Sequence, residues 1–572
     1  MKQGGKFVTA LGRGFSRIPN AALPVIELLV LVAMLAGAWR ERSAMPLVPT
    51  ANPDTWGYLN PALTWLSGLG CQQTAGRDWL YPALLALFLK TTGTFAGIAL
   101  WQKCLGIASG LLMAMTWRCW VGTLPLQRGA RFLASLFGAL PILVQLMNPQ
   151  SMFFEMSIRP EAVLSFFVYA QFACLMGYYK YRWQKPYRDR RGETGDRKEA
   201  PTPNALALII FGAAAIVLAY ACLQLKPSWL FAFLITSAPV FVGVFGRAPS
   251  ITARLLAPAL GIALSFLLLW LPSAVFLIKD SASITFLPAT LFTIHARLID
   301  KSLEAKLARM PDSDPEKPGL QTLVALLDNE LHVAQDLPTA WEKLGFDPDY
   351  LYYHSPLIPA VYRYAGNDDK KFKAFCLSCY RDAALHDPLS FAGKIMVQFT
   401  HFLFPKPETF FKDRADFARF YQDSAAVLDP HPADPFRADV QRMYLQYKAD
   451  LLTQASSGIR FASKFHSFRQ VLAPLALPLE ILFLGALAAS LLLPPLRDLR
   501  LAGCAAATLF SAPLGNAVTV CIVHALDIER YRLTYGGFLL FALAAMAVFL
   551  ALVITRLRQR RGAPPKTLSS GM

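Results

Sequence analysis

The sequence predicts an all-α, polytopic membrane protein with about ten transmembrane helices and a mostly helical extracytoplasmic domain. Composition is the first basis: 55% of the 572 residues are hydrophobic, only 16% are charged, and the mean hydropathy is +0.38, unlike an ordinary soluble enzyme. Repeated apolar runs are the second basis, because about 20 apolar residues in a helix cross a hydrocarbon core about 30 Å thick. One long hydrophilic stretch between these runs is the third.

Ten apolar runs predict the membrane helices. The run nearest the N-terminus is poorly followed by a small-residue cleavage site, so it is predicted to be a retained helix and not a removed signal peptide. The runs are residues 21–39, 95–117, 130–148, 161–179, 204–223, 228–246, 253–278, 473–494, 501–524 and 535–555.

The same runs divide the chain into three parts. Residues 1–278 are predicted to form an N-terminal bundle of about seven helices, and residues 473–572 about three C-terminal helices with a basic cytoplasmic tail. Residues 279–472, called the hydrophilic domain below, show helical periodicity in "GLQTLVALLDNELHVAQDL" and "DPLSFAGKIMVQFTHFLF". We expect this domain to be mostly helical, with one helix at or in the membrane.

Basic residues in the short loops predict the orientation. With a cytoplasmic N-terminus, the inner segments hold about three times as many Lys and Arg residues as the short outer ones, in agreement with the positive-inside rule. Both termini are then cytoplasmic, and the hydrophilic domain lies outside. The formal charge of +18 includes stretches such as "RLRQRRGAPPK", which suit an anionic cytoplasmic leaflet. Nucleic acid is therefore not expected as a partner.

Polar groups at the predicted outer surface are candidates for chemistry, because charges there cost free energy unless they face water or a partner. The carboxylates suit a general base for an incoming hydroxyl, and the basic groups suit a phosphate. Simpler explanations stay open: the basic residues serve as interfacial anchors, and Glu161 as a favourable charge at a helix N-terminus. The set comprises Asp54 with Tyr58, Arg77 with Asp78, Glu155 with Arg159 and Glu161, Lys226, and Asp527 with Glu529, Arg530, Tyr531 and Arg532.

The first outer loop, "NPDTWGYLNPALTWLSGLG" leading to "GRDWLYPALLALFLKTTG", resembles that of GT-C glycosyltransferases. This superfamily of multi-pass enzymes contains the protein O-mannosyltransferases and the lipid A aminoarabinose transferases. Later segments such as "SIRPEAVLSFFVYAQF", "LKPSWLFAFL" and "ERYRLTYGGFLLFAL" resemble segments of bacterial members, so the resemblance spans most of the chain. It implies a cytoplasmic (inner) membrane location, an outward cavity, a polyprenyl-phosphate-linked sugar donor, a glycan, lipid or protein acceptor, and transfer with inversion.

The resemblance also implies roles for individual residues. Asp54 matches the acidic residue of the first loop and is expected to deprotonate the acceptor hydroxyl, which attacks the anomeric carbon opposite the departing lipid phosphate. Many relatives carry two adjacent acidic residues there, whereas this chain has "NPD", and Glu155 is the candidate for the second catalytic carboxylate. The candidates for donor phosphate binding are Arg159, Lys226, Arg530 and Arg532, and those for substrate binding are Tyr58, Arg77, His295 and His354.

Metal binding is left open by the sequence. All eight histidines fall on the predicted outer side, and some members of the superfamily use a divalent metal ion. The simpler explanation is that histidine collects wherever apolar helices are absent. Cys376 and Cys379 form a lone CxxC, which favours a buried helix face or a disulfide over a zinc site because a second ligand pair at the required spacing is missing.

Three other interpretations compete with the glycosyltransferase. A transporter or a flippase for lipid-linked sugars would often show internal repeats and midplane charges, and neither is seen in the sequence. The interpretation as a scaffold protein would not explain the presence of Asp54 and the outer arginines. An O-antigen ligase or polymerase would use the same class of donor, and its cavity is expected to depend more on Arg and His than on an Asp after the first helix.

Overall fold

The chain folds as an all-α, polytopic membrane protein. The structure, a computed structural model, describes residues 22–70, 77–183, 205–245, 250–279, 286–405, 415–456, 460–461 and 473–561. Within these ranges, nine helices are long and apolar enough to cross a membrane. They are Ala22–Ser43, Ala96–Gly122, Arg128–Leu146, Glu161–Trp183, Ala205–Leu225, Ile251–Val275, Ala473–Leu492, Pro494–Val523 and Glu529–Gln559.

Nine of the ten predicted runs coincide with these helices. The remaining run, 228–246, forms a shorter apolar helix, Pro227–Val242, which starts as a 3₁₀ turn at Pro227–Trp229 and carries Pro239 inside it. A second short apolar helix, Leu80–Thr92, follows the first loop. Two further short helices, Thr55–Leu66 and Pro149–Glu155, lie in the connections that build the candidate site.

Small residues let the membrane helices approach closely, as is common in helix pairs within bilayers. The helix Arg500–Val523 packs against Leu230–Val242. A Cβ atom at Gly515 would lie 2.5 Å from the backbone nitrogen of Ala232, so only glycine permits this distance. The helix Glu161–Trp183 is enclosed by Ala96–Gly122 and Ala205–Leu225.

The first part of the hydrophilic domain has its own core, to which Leu327 and Leu351 contribute as fully buried residues. The Lys317–Asp336 helix confirms the periodicity of "GLQTLVALLDNELHVAQDL". The helices of this part are Leu287–Ile294, Ala296–Arg309, Lys317–Asp336, Leu357–Tyr364 and Asp369–His386, with a π-helical turn at Tyr350–His354.

The second part of the hydrophilic domain shares the core of the transmembrane bundle. Tyr421 Oη donates to Val48 O at 2.9 Å, and Tyr447 Oη donates to Pro49 O at 2.7 Å, so these helices hold the segment that leads to Asp54. The helices are Pro388–Leu403, Phe417–Leu428 and Ala438–Ala455, and a short antiparallel strand pair joins Ala415–Asp416 to Arg460–Phe461.

Candidate functional site

Asp54 stands immediately before the helix Thr55–Leu66, and its side chain makes no capping hydrogen bond to that helix. The loop is held by other groups. Thr50 N donates to Met156 O at 2.6 Å, Ile158 N donates to Thr50 O at 3.0 Å, and Thr55 Oγ1 donates to Ile158 O at 3.2 Å. The first loop therefore lies against the loop that carries Arg159, and the Asp54 carboxylate is available for other partners.

Three guanidinium groups surround the Asp54 carboxylate. Arg77 Nη2 lies 2.5 Å from Oδ1, Arg530 Nη1 donates to Oδ2, and Arg159 Nη2 lies 3.8 Å from Oδ2. Burial of Asp54 disfavours its charged form, but the guanidinium groups of Arg530, Arg77 and Arg159 outweigh burial and hold the pKa of Asp54 below its ordinary value. Asp54 is therefore a carboxylate whose two oxygen atoms are both occupied by cations.

A second ion pair adjoins the first. Lys226 Nζ donates to Glu161 Oε1 at 2.7 Å, and both side chains are more than nine-tenths buried. Tyr531 connects the two pairs, because the Lys226 amine lies 5.1 Å and the Arg530 guanidinium carbon 5.3 Å from its ring centre. We call the combined set the charged cluster: Asp54, Arg77, Arg159, Glu161, Lys226 and Arg530.

The charged cluster has an excess of positive charge, because its four cationic groups face two carboxylates. Tyr58 lies against it: Arg77 Nη1 donates to Tyr58 Oη at 3.2 Å, and the guanidinium carbon lies 4.8 Å from the ring centre. Burial raises the pKa of Tyr58, so its phenol is neutral and can both donate and accept a hydrogen bond. An anionic group, with hydroxyl groups beside it, would complement this surface.

Glu155 lies in a separate ion pair. Its carboxylate binds Arg42 in a bidentate manner, with Arg42 Nε and Nη2 each 2.7 Å from one oxygen atom. Arg42 also donates to Leu146 O at 2.7 Å, and Gln102 Nε2 donates to the Glu155 backbone oxygen at 2.9 Å. Both charged side chains are almost completely buried, which suits a structural ion pair better than a second general base beside Asp54.

Three other predicted site residues lie outside the charged cluster. Arg532 Nη1 donates to Leu526 O at 3.0 Å and so stabilises the turn before the last helix. His295 is buried between the rings of Tyr380 and Phe391, and burial lowers its pKa well below the ordinary value. His354 ends the turn Tyr350–His354 of the hydrophilic domain.

The turn Tyr350–His354 brings the hydrophilic domain to the charged cluster. Tyr353, the next residue to His354, is 68% exposed, and its phenol is close enough to Asp54, Arg77 and Arg530 to interact with them electrostatically. This turn therefore borders the site on the side of the hydrophilic domain.

A set of polar contacts that the sequence did not reveal fixes the loop before Arg530. We call the residues that make these contacts with their side chains, Lys394, Gln398, His401 and Asp527, the polar latch. Asp527 accepts hydrogen bonds from Gln398 Nε2 at 2.6 Å and from Lys343 N at 2.9 Å, with His401 Nε2 3.4 Å away. Lys394 Nζ donates to the carbonyl oxygens of Cys521, at 2.9 Å, and His524. The available signal was the spacing of Lys394, Gln398 and His401, which places three polar groups on one face of an otherwise apolar helix.

Metal binding finds no support in the part of the chain that the structure describes, where no group of three His, Cys, Asp or Glu side chains could hold a metal ion. Cys376 and Cys379 are both buried in the core of the hydrophilic domain and are free thiols. This agrees with the interpretation of the CxxC pair as a buried helix face.

No protein-family model, curated protein or solved structure matches the chain.

Proposed function

We propose that this protein is a membrane glycosyltransferase. It would move a sugar from a polyprenyl-phosphate-linked donor to an acceptor on the extracytoplasmic face, with inversion at the anomeric carbon. The observation that carries the proposal is the position of Asp54 among Arg77, Arg159 and Arg530. These residues bring a carboxylate together with cations that suit a phosphate, which is the combination that the proposed reaction would require.

The cations suit the leaving group. Guanidinium groups bind phosphate oxygens through paired N–H donors, and the charged cluster has more cations than carboxylates. As the bond between the anomeric carbon and the phosphate oxygen breaks, its electron pair moves to the phosphate. Cations already in position stabilise the charge that develops there.

Asp54 would act as the general base. The acceptor hydroxyl oxygen attacks the anomeric carbon on the face opposite the phosphate, and its proton passes to Asp54. Without substrate, both Asp54 oxygen atoms are occupied by Arg77 and Arg530. When a donor phosphate draws these guanidinium groups toward itself, Asp54 loses positive neighbours, so its pKa rises and it becomes a better base. Donor binding would in this way prepare the base for the acceptor.

The hydrophilic domain would form the acceptor side. Its turn Tyr350–His354 borders the charged cluster, and the exposed ring of Tyr353 offers a flat surface with a hydroxyl group. A lipid-linked donor would approach from the bilayer, and the acceptor would approach past this turn.

The first test measures transfer of radiolabelled sugar from polyprenyl-phosphate donors, in membranes that contain wild type, Asp54→Asn or Asp54→Glu at matched expression. Loss of a general base lowers rates by about 10²- to 10⁴-fold, and we expect Asp54→Asn to show such a loss. Asp382→Asn is the matched control, since Asp382 is half exposed and pairs only with its neighbour Arg381 among the described contacts.

The outcomes separate the competing functions. Full transfer by Asp54→Asn would remove Asp54 from catalysis. Absence of transfer by every form with several donors, together with movement of the donor across reconstituted vesicles, would favour the flippase interpretation instead.

A further inference from the structure

A polar cavity lies inside the bundle next to the charged cluster. Glu161 lines the cavity and belongs to the cluster. Thr534, on the cavity wall, donates its hydroxyl to Arg530 O at 2.8 Å, one helical turn away. About 40 Å³ is open to the centres of water molecules, whereas a single water needs about 10–15 Å³. The cavity is therefore large enough for more than one group of the size of a hydroxyl.

The charges on the cavity wall are already neutralised. Arg42 and Glu155 form a bidentate ion pair, and Glu161 binds Lys226. Half of the lining residues are polar, and those without charge carry amides or hydroxyls: Ser109, Gln145, Asn148, Gln150, Ser151, Ser165 and Thr534. The wall can therefore donate and accept hydrogen bonds, but it has no surplus charge to balance that of a ligand.

Gln145 gives the cavity an unused binding group. Its side chain is more than nine-tenths buried, and its Oε1 atom has no hydrogen-bond partner among the described residues, although Nε2 donates to Ser151 Oγ at 3.0 Å. A buried amide oxygen without a partner costs free energy, which a ligand hydroxyl would recover. Gly537 leaves the space for this amide, since a Cβ there would lie 2.1 Å from Oε1.

We propose that this cavity receives the hydroxyl-bearing edge of an uncharged donor sugar, so that donors whose sugar carries an amino or carboxyl group are rejected. The inference rests on the proposed function and specifies its substrate class. An uncharged sugar exchanges cavity waters for its own hydroxyls. An ammonium or carboxylate would enter a buried space whose wall charges are already paired, Arg42 with Glu155 and Glu161 with Lys226. The surplus cations of the charged cluster would be occupied by the donor phosphate.

The test compares three donors that share one polyprenyl phosphate and differ in the sugar: glucose, 4-amino-4-deoxyarabinose and glucuronic acid. Transfer efficiency (kcat/KM) is measured with purified full-length protein. The melting temperature with each donor provides a second readout that needs no transfer. We expect the glucose donor to exceed both charged donors by about tenfold or more in kcat/KM, which corresponds to about 1.4 kcal/mol.

Two variants connect this preference to the cavity. Gly537→Ala should displace the Gln145 amide and reduce both glucose transfer and stabilisation by the glucose donor. Gly536→Ala is its matched control, because a Cβ there meets no atom within 4 Å. Gln145→Glu places an unpaired carboxylate in the cavity and should shift the preference toward the amino sugar. Size-exclusion profiles check that each variant is folded.

The result that overturns the inference is equal or better transfer of a charged sugar by wild type, and that result would leave the proposed transferase function intact. Stabilisation by the glucose donor that depends on Gln145, without transfer of any sugar, would support the cavity and count against the transferase. If no donor is transferred and none stabilises the protein, both proposals fail.

Discussion

Asp54 and Arg530 are 476 positions apart in the chain and form an ion pair. Asp54 precedes the short helix of the first loop, and Arg530 is the second residue of the last helix. Arg77 occupies the other carboxylate oxygen. The pairing is therefore a property of the folded bundle, and each partner can be tested separately.

Substitution of the arginines should affect donor binding. We expect Arg530→Met and Arg77→Met each to raise the KM for the donor by about 10- to 100-fold, because a charge-assisted phosphate contact contributes about 1.5–3 kcal/mol. Arg530→Lys should recover only part of this, since an ammonium cannot replace a guanidinium fork. Donor titrations at saturating acceptor measure the effect. Arg381→Met is the control. If it raises the KM for the donor as much as Arg530→Met and Arg77→Met do, the charged cluster has no specific role in donor binding.

The ion pairs of Asp54 should appear in the pH dependence of stability. Because its pKa is lowered in the folded protein, Asp54 contributes stability that is present above its unfolded pKa of about 3.9. This contribution is lost as the pH falls through the folded value. The melting temperature of wild type should therefore exceed that of Asp54→Asn at about pH 5 to 7. This difference should shrink below about pH 4.

The titration of Asp78 would also change the stability of the protein over this pH range. Burial raises the pKa of Asp78 to about 6, so Asp78 lowers stability as the pH rises from its unfolded value of about 3.9 through that range. Both proteins should therefore carry Asp78→Asn. A wild-type advantage that stays constant down to about pH 3 would mean that the Asp54 ion pairs do not stabilise the fold.

The Glu161–Lys226 pair should be needed as a pair. Lys226→Met leaves a buried carboxylate without its partner, which costs about 3–5 kcal/mol, whereas Glu161→Gln with Lys226→Met should recover most of the loss. Thermal unfolding in detergent measures both. Lys343→Met breaks the exposed pair with Glu342 and should cost at most about 1 kcal/mol. If the single and double variants lose the same stability, the loss is due to altered packing and not to an unpaired buried charge.

The polar latch should control the position of Arg530. Asp527→Asn loses a charged acceptor for Gln398 and the Lys343 amide, so we expect faster hydrogen exchange in residues 524–535 and about tenfold slower transfer, because misplaced catalytic groups lose rate steeply. Asp498→Asn is the control, since it breaks only the exposed pair with Arg556 among the described contacts. Slower transfer without faster exchange would argue against a positioning role.

The sequence predicted the membrane helices well because hydropathy is a local property. Run 95–117 became Ala96–Gly122, and run 161–179 became Glu161–Trp183. All six residues of the charged cluster were among the outer polar groups noted in the sequence, but so were Glu155 and Arg532, which have other partners. The contacts were not predicted, because the pairing of Asp54 with Arg530 depends on how distant helices pack. Glu155 shows this limit most clearly. A glutamate in the apolar stretch "FFEMSI" needs a cation, but nothing local identifies Arg42, which lies 113 positions earlier.

The separation of Asp54 from Arg530 in the sequence also determines when, during synthesis of the chain, their ion pair can form. Ribosomes add about 5–20 residues per second, so the 476 positions between the two residues take about 25 to 95 s to synthesise. During that interval the nascent chain already contains Asp54 and Arg77, but the last helix has not yet been inserted. Arg530 arrives only with that helix. The ion pair between Asp54 and Arg530 therefore cannot form until the helix Glu529–Arg561 is in place, and under the proposed function the donor phosphate would lack this guanidinium group until then.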